Sequence, residues 1–137
     1  MPYTPFQMFD LVADVERYPE FLPWVIESCI RARTDQTVLL DMTIGTGPLR
    51  KRISTAGVLH RPHRIDVGSS DPLFERFAQR WTFEPMARGG TNVGYHIELR
   101  FRSRALKILT AMSFADRSAA MIAAFIQRAD RLYGGRS

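Results

Sequence analysis

The residues of this chain that could carry out bond chemistry are few and scattered. Its three histidines are His60, His63 and His96, and its one cysteine is Cys29. A zinc site needs several nitrogen or sulfur ligands at close spacing, and the sequence has neither an H-E-x-x-H pattern nor a second cysteine. His60 and His63 flank a turn at Pro62, and His96 falls on the polar phase of a strand, so all three read as surface side chains. No G-x-S-x-G elbow is present for a nucleophilic serine. Gly45-Thr46-Gly47 is too short to cradle a phosphate and lacks the lysine-serine ending of such loops, so it reads as a hairpin turn. Glu84 and Glu98 both take the wet phase of their strands, whereas acid–base work needs a desolvated pocket that shifts a pKa. Cys29 has no activating neighbour and reads as a small, half-buried residue. The expectation is a protein that is not an enzyme, with no catalytic residues, no metal and no catalytic cofactor.

The apolar side chains say more. Phe77, Trp81 and Phe83, then Tyr95 and Phe101, project to one face of two neighbouring strands. Trp24, Leu40 and Met42 belong to the same inward set, and Met112, Met121 and Phe125 descend on it from a helix. Gln79, Ser28 and the Tyr95 hydroxyl are its main polar atoms. Two readings fit: the closed core of a small domain, or a cavity lined by flat rings and flexible methionines that suits a prenyl tail or quinone. Leu73 and Phe74 sit in or beside a loop after Pro72, where apolar residues can rim a pocket mouth or dip into a membrane.

Charge adds a partner question. The 137 residues carry a net charge of +5, with a pI near 10.0. Arg50, Lys51 and Arg52 form one basic knot, and Arg100, Arg102, Arg104 and Lys107 another. Such knots suit nucleic acid or an anionic lipid surface, or serve solubility alone.

The elements that must hold these residues follow from periodicity. Thr4-Pro5 reads as an N-cap with proline in the first turn, opening a short helix through Ala13. Two prolines, Pro19 and Pro23, then bracket at most one helical turn. From Trp24 the period becomes two: Trp24, Ile26, Ser28, Ile30 and Ala32 alternate with Val25, Glu27, Cys29, Arg31 and Arg33. Val38, Leu40, Met42 and Ile44 form a second strand, residues 49–59 a third, and Ile65 and Val67 a short fourth. Strands through Trp81 and through Tyr95 complete an antiparallel meander with one apolar face. Residues 104–133 then carry Ile108, Met112, Ala115, Ala119, Ile122, Ile126, Ala129 and Tyr133 at steps of four and three. That is one stripe of a helix about 45 Å long, capped by Ser103. Its alanine-rich middle either packs closely on the sheet or leaves room beneath it. The predicted architecture is α+β, a single domain over residues 1–137: a curved antiparallel sheet wrapped around a long C-terminal helix. Met1-Pro2-Tyr3-Thr4 has neither a basic nor an apolar leader region, and the longest apolar run, residues 119–126, is far short of the ~20 residues of a membrane span. A soluble, cytoplasmic protein is expected.

Three stretches carry a family likeness: Pro2-Tyr3-Thr4-Pro5 through Tyr18-Pro19-Glu20-Phe21-Leu22-Pro23-Trp24; Pro72-Leu73-Phe74 leading to Trp81-Thr82-Phe83-Glu84-Pro85; and Met121, Ala124-Phe125, Arg128-Ala129 and Tyr133-Gly134. Together they closely resemble the coenzyme Q-binding START-like family, which includes the bacterial ribosome-association toxin and sits within the polyketide cyclase/dehydrase-like superfamily. The resemblance implies a helix-grip fold with a hydrophobic cavity between sheet and helix. It implies non-catalytic binding of ubiquinone or a related isoprenoid lipid in support of respiratory electron transport. By motif position the pocket would map to Trp24, Leu73, Phe74, Trp81, Phe83, Met121 and Phe125. A lipid chaperone of this kind would meet the inner membrane peripherally through Arg50, Lys51 and Arg52. The alternative carried by the same likeness is a translation inhibitor that binds the large ribosomal subunit.

Overall fold

The computed structural model describes residues 2–46, 49–72, 74–102 and 114–134. Helix α1 (Pro5–Ala13) begins as its sequence dictates. The Thr4 hydroxyl accepts from the Gln7 amide at 3.1 Å, and the Gln7 side chain accepts from the Thr4 amide at 3.0 Å. This reciprocal pair satisfies donors that the first helical turn leaves open. Met8, Phe9, Leu11 and Val12 are its buried residues. Arg61 grips the far side of the helix with two hydrogen bonds to Asp10, at 2.9 and 2.8 Å. A 3-10 helix (Val15–Glu20) follows and runs through Pro19, longer than the single turn expected between the prolines. The Tyr18 carbonyl stops it by accepting from the amides of Phe21 and Leu22.

Six strands then pair in strict chain order, all antiparallel: β1 (Val25–Arg33), β2 (Thr37–Thr46), β3 (Leu49–His60), β4 (Arg64–Gly68), β5 (Phe74–Pro85) and β6 (Thr91–Phe101). The predicted meander is therefore the observed one. Its register sets inward side chains in rows. One row runs Leu59–Ile65–Trp81–Tyr95, and the next Val38–Gly57–Val67–Gln79–Ile97.

Strict alternation fails in β1, where register shifts separate Val25 from Glu27 and Ile30 from Ala32. A bulge puts two residues opposite one and turns Val25 into the core, so Val25 is buried although the alternating pattern places it outside. Cys29, expected to be half-buried, is exposed. Phe74 is not an exposed loop residue: it opens β5 and is buried, beside a further register shift.

Helix α2 (Phe114–Tyr133) is the described part of the predicted long helix. The Ser103 cap, Ile108 and Met112 lie outside the described residues, as does Leu73. Phe125 and Ala129 are buried, with Met121, Ala124 and Tyr133 packed beside them. Ile122 and Ile126, assigned to the inward stripe, are 39% and 40% exposed instead. Neighbouring helical phases differ by only about 60°, and the spacing of small residues does not choose between them. Phe125 chooses, because its ring fits between Tyr18, Phe21 and Trp81 and rotates the isoleucines to the flank. The ends of the described chain meet here. The Tyr3 and Tyr133 rings lie 5.7 Å apart, the Tyr3 hydroxyl donates to Asp130, and the Tyr133 hydroxyl donates to the Gln7 carbonyl at 3.2 Å. Among the described residues no helix is long and apolar enough to cross a membrane.

Candidate functional site

The predicted aromatic set divides into two parts. Around Phe125 it forms a solid hub: Trp81 at 5.1 Å, Phe21 at 5.1 Å and Tyr18 at 5.5 Å, all near edge-on. Phe83 lies parallel to Trp81 at 6.4 Å and meets Phe9 edge-on at 5.7 Å. Such pairs add to the area that the rings remove from water. Tyr18 is held there by a hydrogen bond from its hydroxyl to the Val12 carbonyl, and burial raises its phenol far above the ordinary value. Trp24, Met42 and Met121 pack on the hub as half-buried residues.

Leu40 and Phe74 are buried but lie outside this hub, as do Val38 and Ile53. Phe77, half-buried, sits 5.1 Å from Phe74. Between hub and outlying group runs a band of inward positions that keep part of their surface exposed: Met42, Gly57, Val67, Gln79, Tyr95 and Ile97. Gly57 deepens it. A Cβ built there would have no neighbour nearer than 3.9 Å, so the row dips between Val38 and Val67. In the band the Gln79 amide donates to the Tyr95 hydroxyl at 2.9 Å, and the Tyr95 ring tilts against Trp81 at 4.6 Å. Desolvation raises the Tyr95 phenol despite this hydrogen bond. The Ser28 hydroxyl is spent on the Val15 carbonyl at 2.8 Å.

Period-two reading stopped short on β3. It gave Ile53 and Leu59 but missed Thr55 and Gly57, which share their phase; Thr55 is buried. Applying the alternation without regard to polarity would have found both. Arg128 was also missed as a packing residue. Its guanidinium lies over the Phe21 ring at 5.1 Å and bonds Glu20 at 2.8 Å, while its buried Nε has no partner among the described residues. A cleft of about 140 Å³ opens there, lined by Glu20, Phe21, Ala124, Gln127, Arg128 and Arg131. It is too small and too polar for an isoprenoid chain.

The outer face is charged. Arg50, Lys51 and Arg52 are exposed near the β2–β3 turn, and Arg52 bonds Asp41 at 3.2 Å. Arg50 and Lys51 have no ion-pair partner among the described residues. Arg76 faces Arg100, and Arg80 faces His96, across β5 and β6. Asp66 and Glu98 answer part of this charge: Asp66 pairs with Arg64 and Arg80, and Glu98 with Arg76. Among the described residues no cluster of histidine, cysteine or carboxylate side chains could hold a metal.

Comparison with known proteins places this geometry. Residues 1–126 match the family described as polyketide cyclase / dehydrase and lipid transport. The chain is 29% identical over 134 residues to the ribosome association toxin RatA of Pseudomonas aeruginosa, spanning 98% of this chain and 93% of the toxin. It is 26% identical over 132 residues to the mitochondrial coenzyme Q-binding protein COQ10 homolog B of Xenopus laevis, spanning 93% of this chain and 54% of that protein. The Zhui aromatase/cyclase from Streptomyces sp. R1128 has the same fold, with a TM-score of 0.82 over 99% of this chain and 93% of that one at 12% identity. With its START-like helix-grip arrangement of curved sheet and C-terminal helix, the chain belongs to the polyketide cyclase / dehydrase and lipid transport family.

Proposed function

We propose that the protein binds ubiquinone or a related isoprenoid lipid between sheet and helix without chemical turnover, as a lipid chaperone supporting respiratory electron transport. The observation that carries this reading is the band of half-exposed inward side chains around the Gly57 dip, walled by Trp81 and Met42. Apolar side chains facing inward yet incompletely covered suit an apolar guest. Leu40, Phe74 and Phe77 would line the far end of the ligand, and Trp24, Phe83, Met121 and Phe125 would close the near end. Leu73 and Met112 belong to the proposed lining by motif position and phase. The likeness to a coenzyme Q-binding protein supports the choice of ligand. Arg50 and Lys51, without an ion-pair partner among the described residues, would meet lipid phosphates at the inner membrane, with Arg52 beside them.

The test is mass spectrometry of protein purified under mild conditions from a quinone-replete host, followed by a tryptophan-fluorescence titration with short-chain ubiquinone. Co-purified quinone and saturable quenching, weakened in Phe125→Ala and altered in Trp24→Phe, are expected. Protein that is repeatedly empty and shows no saturable uptake would sink the reading.

A second reading has its own support. The outer face sets Arg76 against Arg100 across β5 and β6, and Glu98 and Asp66 balance only part of its arginine charge, which favours an anionic partner. The likeness to a ribosome association toxin supports a ribosomal partner for this face, taken here to be the large subunit. Cosedimentation with large subunits that falls steeply as salt rises is then expected; absence from those fractions at moderate salt removes this reading.

A further inference from the structure

The inner face of the sheet carries a hydrogen-bonding group that an apolar core has no use for. Gln79 and Tyr95 sit on neighbouring strands, both half-buried and both in the inward phase. They bond to each other at 2.9 Å, and this leaves hydrogen-bonding capacity over. A phenol both donates and accepts, and a primary amide offers two donors and one acceptor. With the amide nitrogen toward Tyr95, the phenol proton has no acceptor among the described residues. With the amide turned about, the phenol is satisfied and the NH2 group is left without one. Either way at least one donor has no acceptor among the described residues, beside Val67 and the Gly57 position in the row of Gln79. Burial keeps the Tyr95 phenol protonated at neutral pH, so it remains a donor. What surrounds these donors is flat and apolar: the Trp81 ring at 4.6 Å from Tyr95, with Val67 and Ile97 flanking Gln79 across the strands.

We infer that Gln79 and Tyr95 form the polar end of the interior site and select a ligand by the carbonyl oxygen of a flat ring, the chemistry of a quinone, over an isoprenoid hydrocarbon of equal length. This rests on the reading that the interior takes a lipid, and it assigns where the head of that lipid lies. A ring lying on the half-exposed band over Val67 and Ile97, beside the buried Trp81, would bring a carbonyl to the Tyr95 hydroxyl, and its chain would run toward Phe77. A hydrocarbon gains the same apolar burial but leaves the donors unmet, which costs a buried site more than the bond itself would gain.

The experiment is calorimetric titration of the full chain with ubiquinone bearing two isoprene units and with (3,7-dimethylocta-2,6-dienyl)benzene, a ring-bearing diene without carbonyls, for wild type, Tyr95→Phe and Gln79→Leu. Wild type should bind the quinone more tightly than the diene. Tyr95→Phe should lose about tenfold in quinone affinity and leave diene affinity unchanged. Gln79→Leu serves the same comparison if Tyr95→Phe melts early. Infrared spectra with carbonyl-labelled quinone give a readout that a purely structural role would not move: the bound carbonyl stretch is lowered in wild type and returns toward its apolar-solvent position in Tyr95→Phe. Equal wild-type affinity for both probes, or an equal loss of both in the variants, overturns this inference and leaves the lipid reading standing. Failure of wild type to bind either probe overturns both.

Discussion

Gly57 occupies an ordinary strand position, since the described positive-φ glycines are Gly89 and Gly90, and it faces inward with nothing nearer than 3.9 Å to where a Cβ would stand. A valine there has high strand propensity and finds only ordinary contacts at its Cβ, the nearest at 3.9 Å. Gly57→Val is therefore expected to keep or raise the melting temperature while lowering uptake of a quinone probe severalfold. A filled interior would give the opposite result, about 1–3 kcal/mol of overpacking loss and no binding to lose. Denaturant unfolding beside a binding titration reads both. At this scale the sequence was partly legible. Rings announce themselves, so Trp81, Phe83 and Phe125 were found where the hub is. Gly57 was passed over because a missing side chain gives no signal in a pattern built on apolar residues, although its phase was plain from Ile53 and Leu59.

Secondary-structure elements differ in how firmly their sequences fix them. The strands were legible because the two-residue period allows one inward phase, and Val38-Leu40-Met42 or Phe77-Gln79-Trp81 leave no second choice. The β1 bulges were not, since Trp24, Val25 and Ile26 are all apolar and any pair of them could face in. Helix α2 was legible over its described residues but not in rotation, because alanines mark a thin face without saying what it meets. Ile126→Lys tests the observed rotation: it should change stability by less than about 0.5 kcal/mol. The alternative phase would bury a lysine and cost several kcal/mol, so a large shift in the denaturation midpoint would refute the assignment. Helix α1 makes a sharper case. Thr4→Ala removes the hydroxyl that accepts from Gln7 and should cost about 1 kcal/mol in the same assay, with Thr4→Ser restoring most of it.

Taken whole, the molecule holds its charges in pairs that make it sensitive to acid. Hydrogen bonds from Arg17 and Arg128 lower the Glu20 carboxyl, Ser54 and Arg52 lower Asp41, and Arg76 lowers Glu98. Burial alone would raise Asp66, but the bond from Arg80 and the charges of Arg64 and Arg80 outweigh it. Each carboxyl is a stronger acid folded than unfolded, so the unfolded chain binds more protons in the acid range. The stabilisation is complete above the unfolded carboxylate range, about pH 4, and is lost as pH falls through the lower folded values. A melting temperature flat from pH 7 to about 5 and declining below 4 is expected, with a shallower decline in Asp66→Asn. A profile that falls toward neutral pH would contradict this assignment.

The strict chain order of the sheet also governs how the protein is made. Every strand meets its predecessor, so each hairpin can form as soon as it leaves the exit tunnel, without waiting for a distant partner. The helix that carries Phe125 is synthesised after all six strands. During synthesis the part of the inner face that Phe125 covers thus stays open until this helix arrives, with α1 packing on the rest. On the proposed lipid reading, a greasy guest present at that moment would be enclosed by the nascent polypeptide itself, with no later opening required.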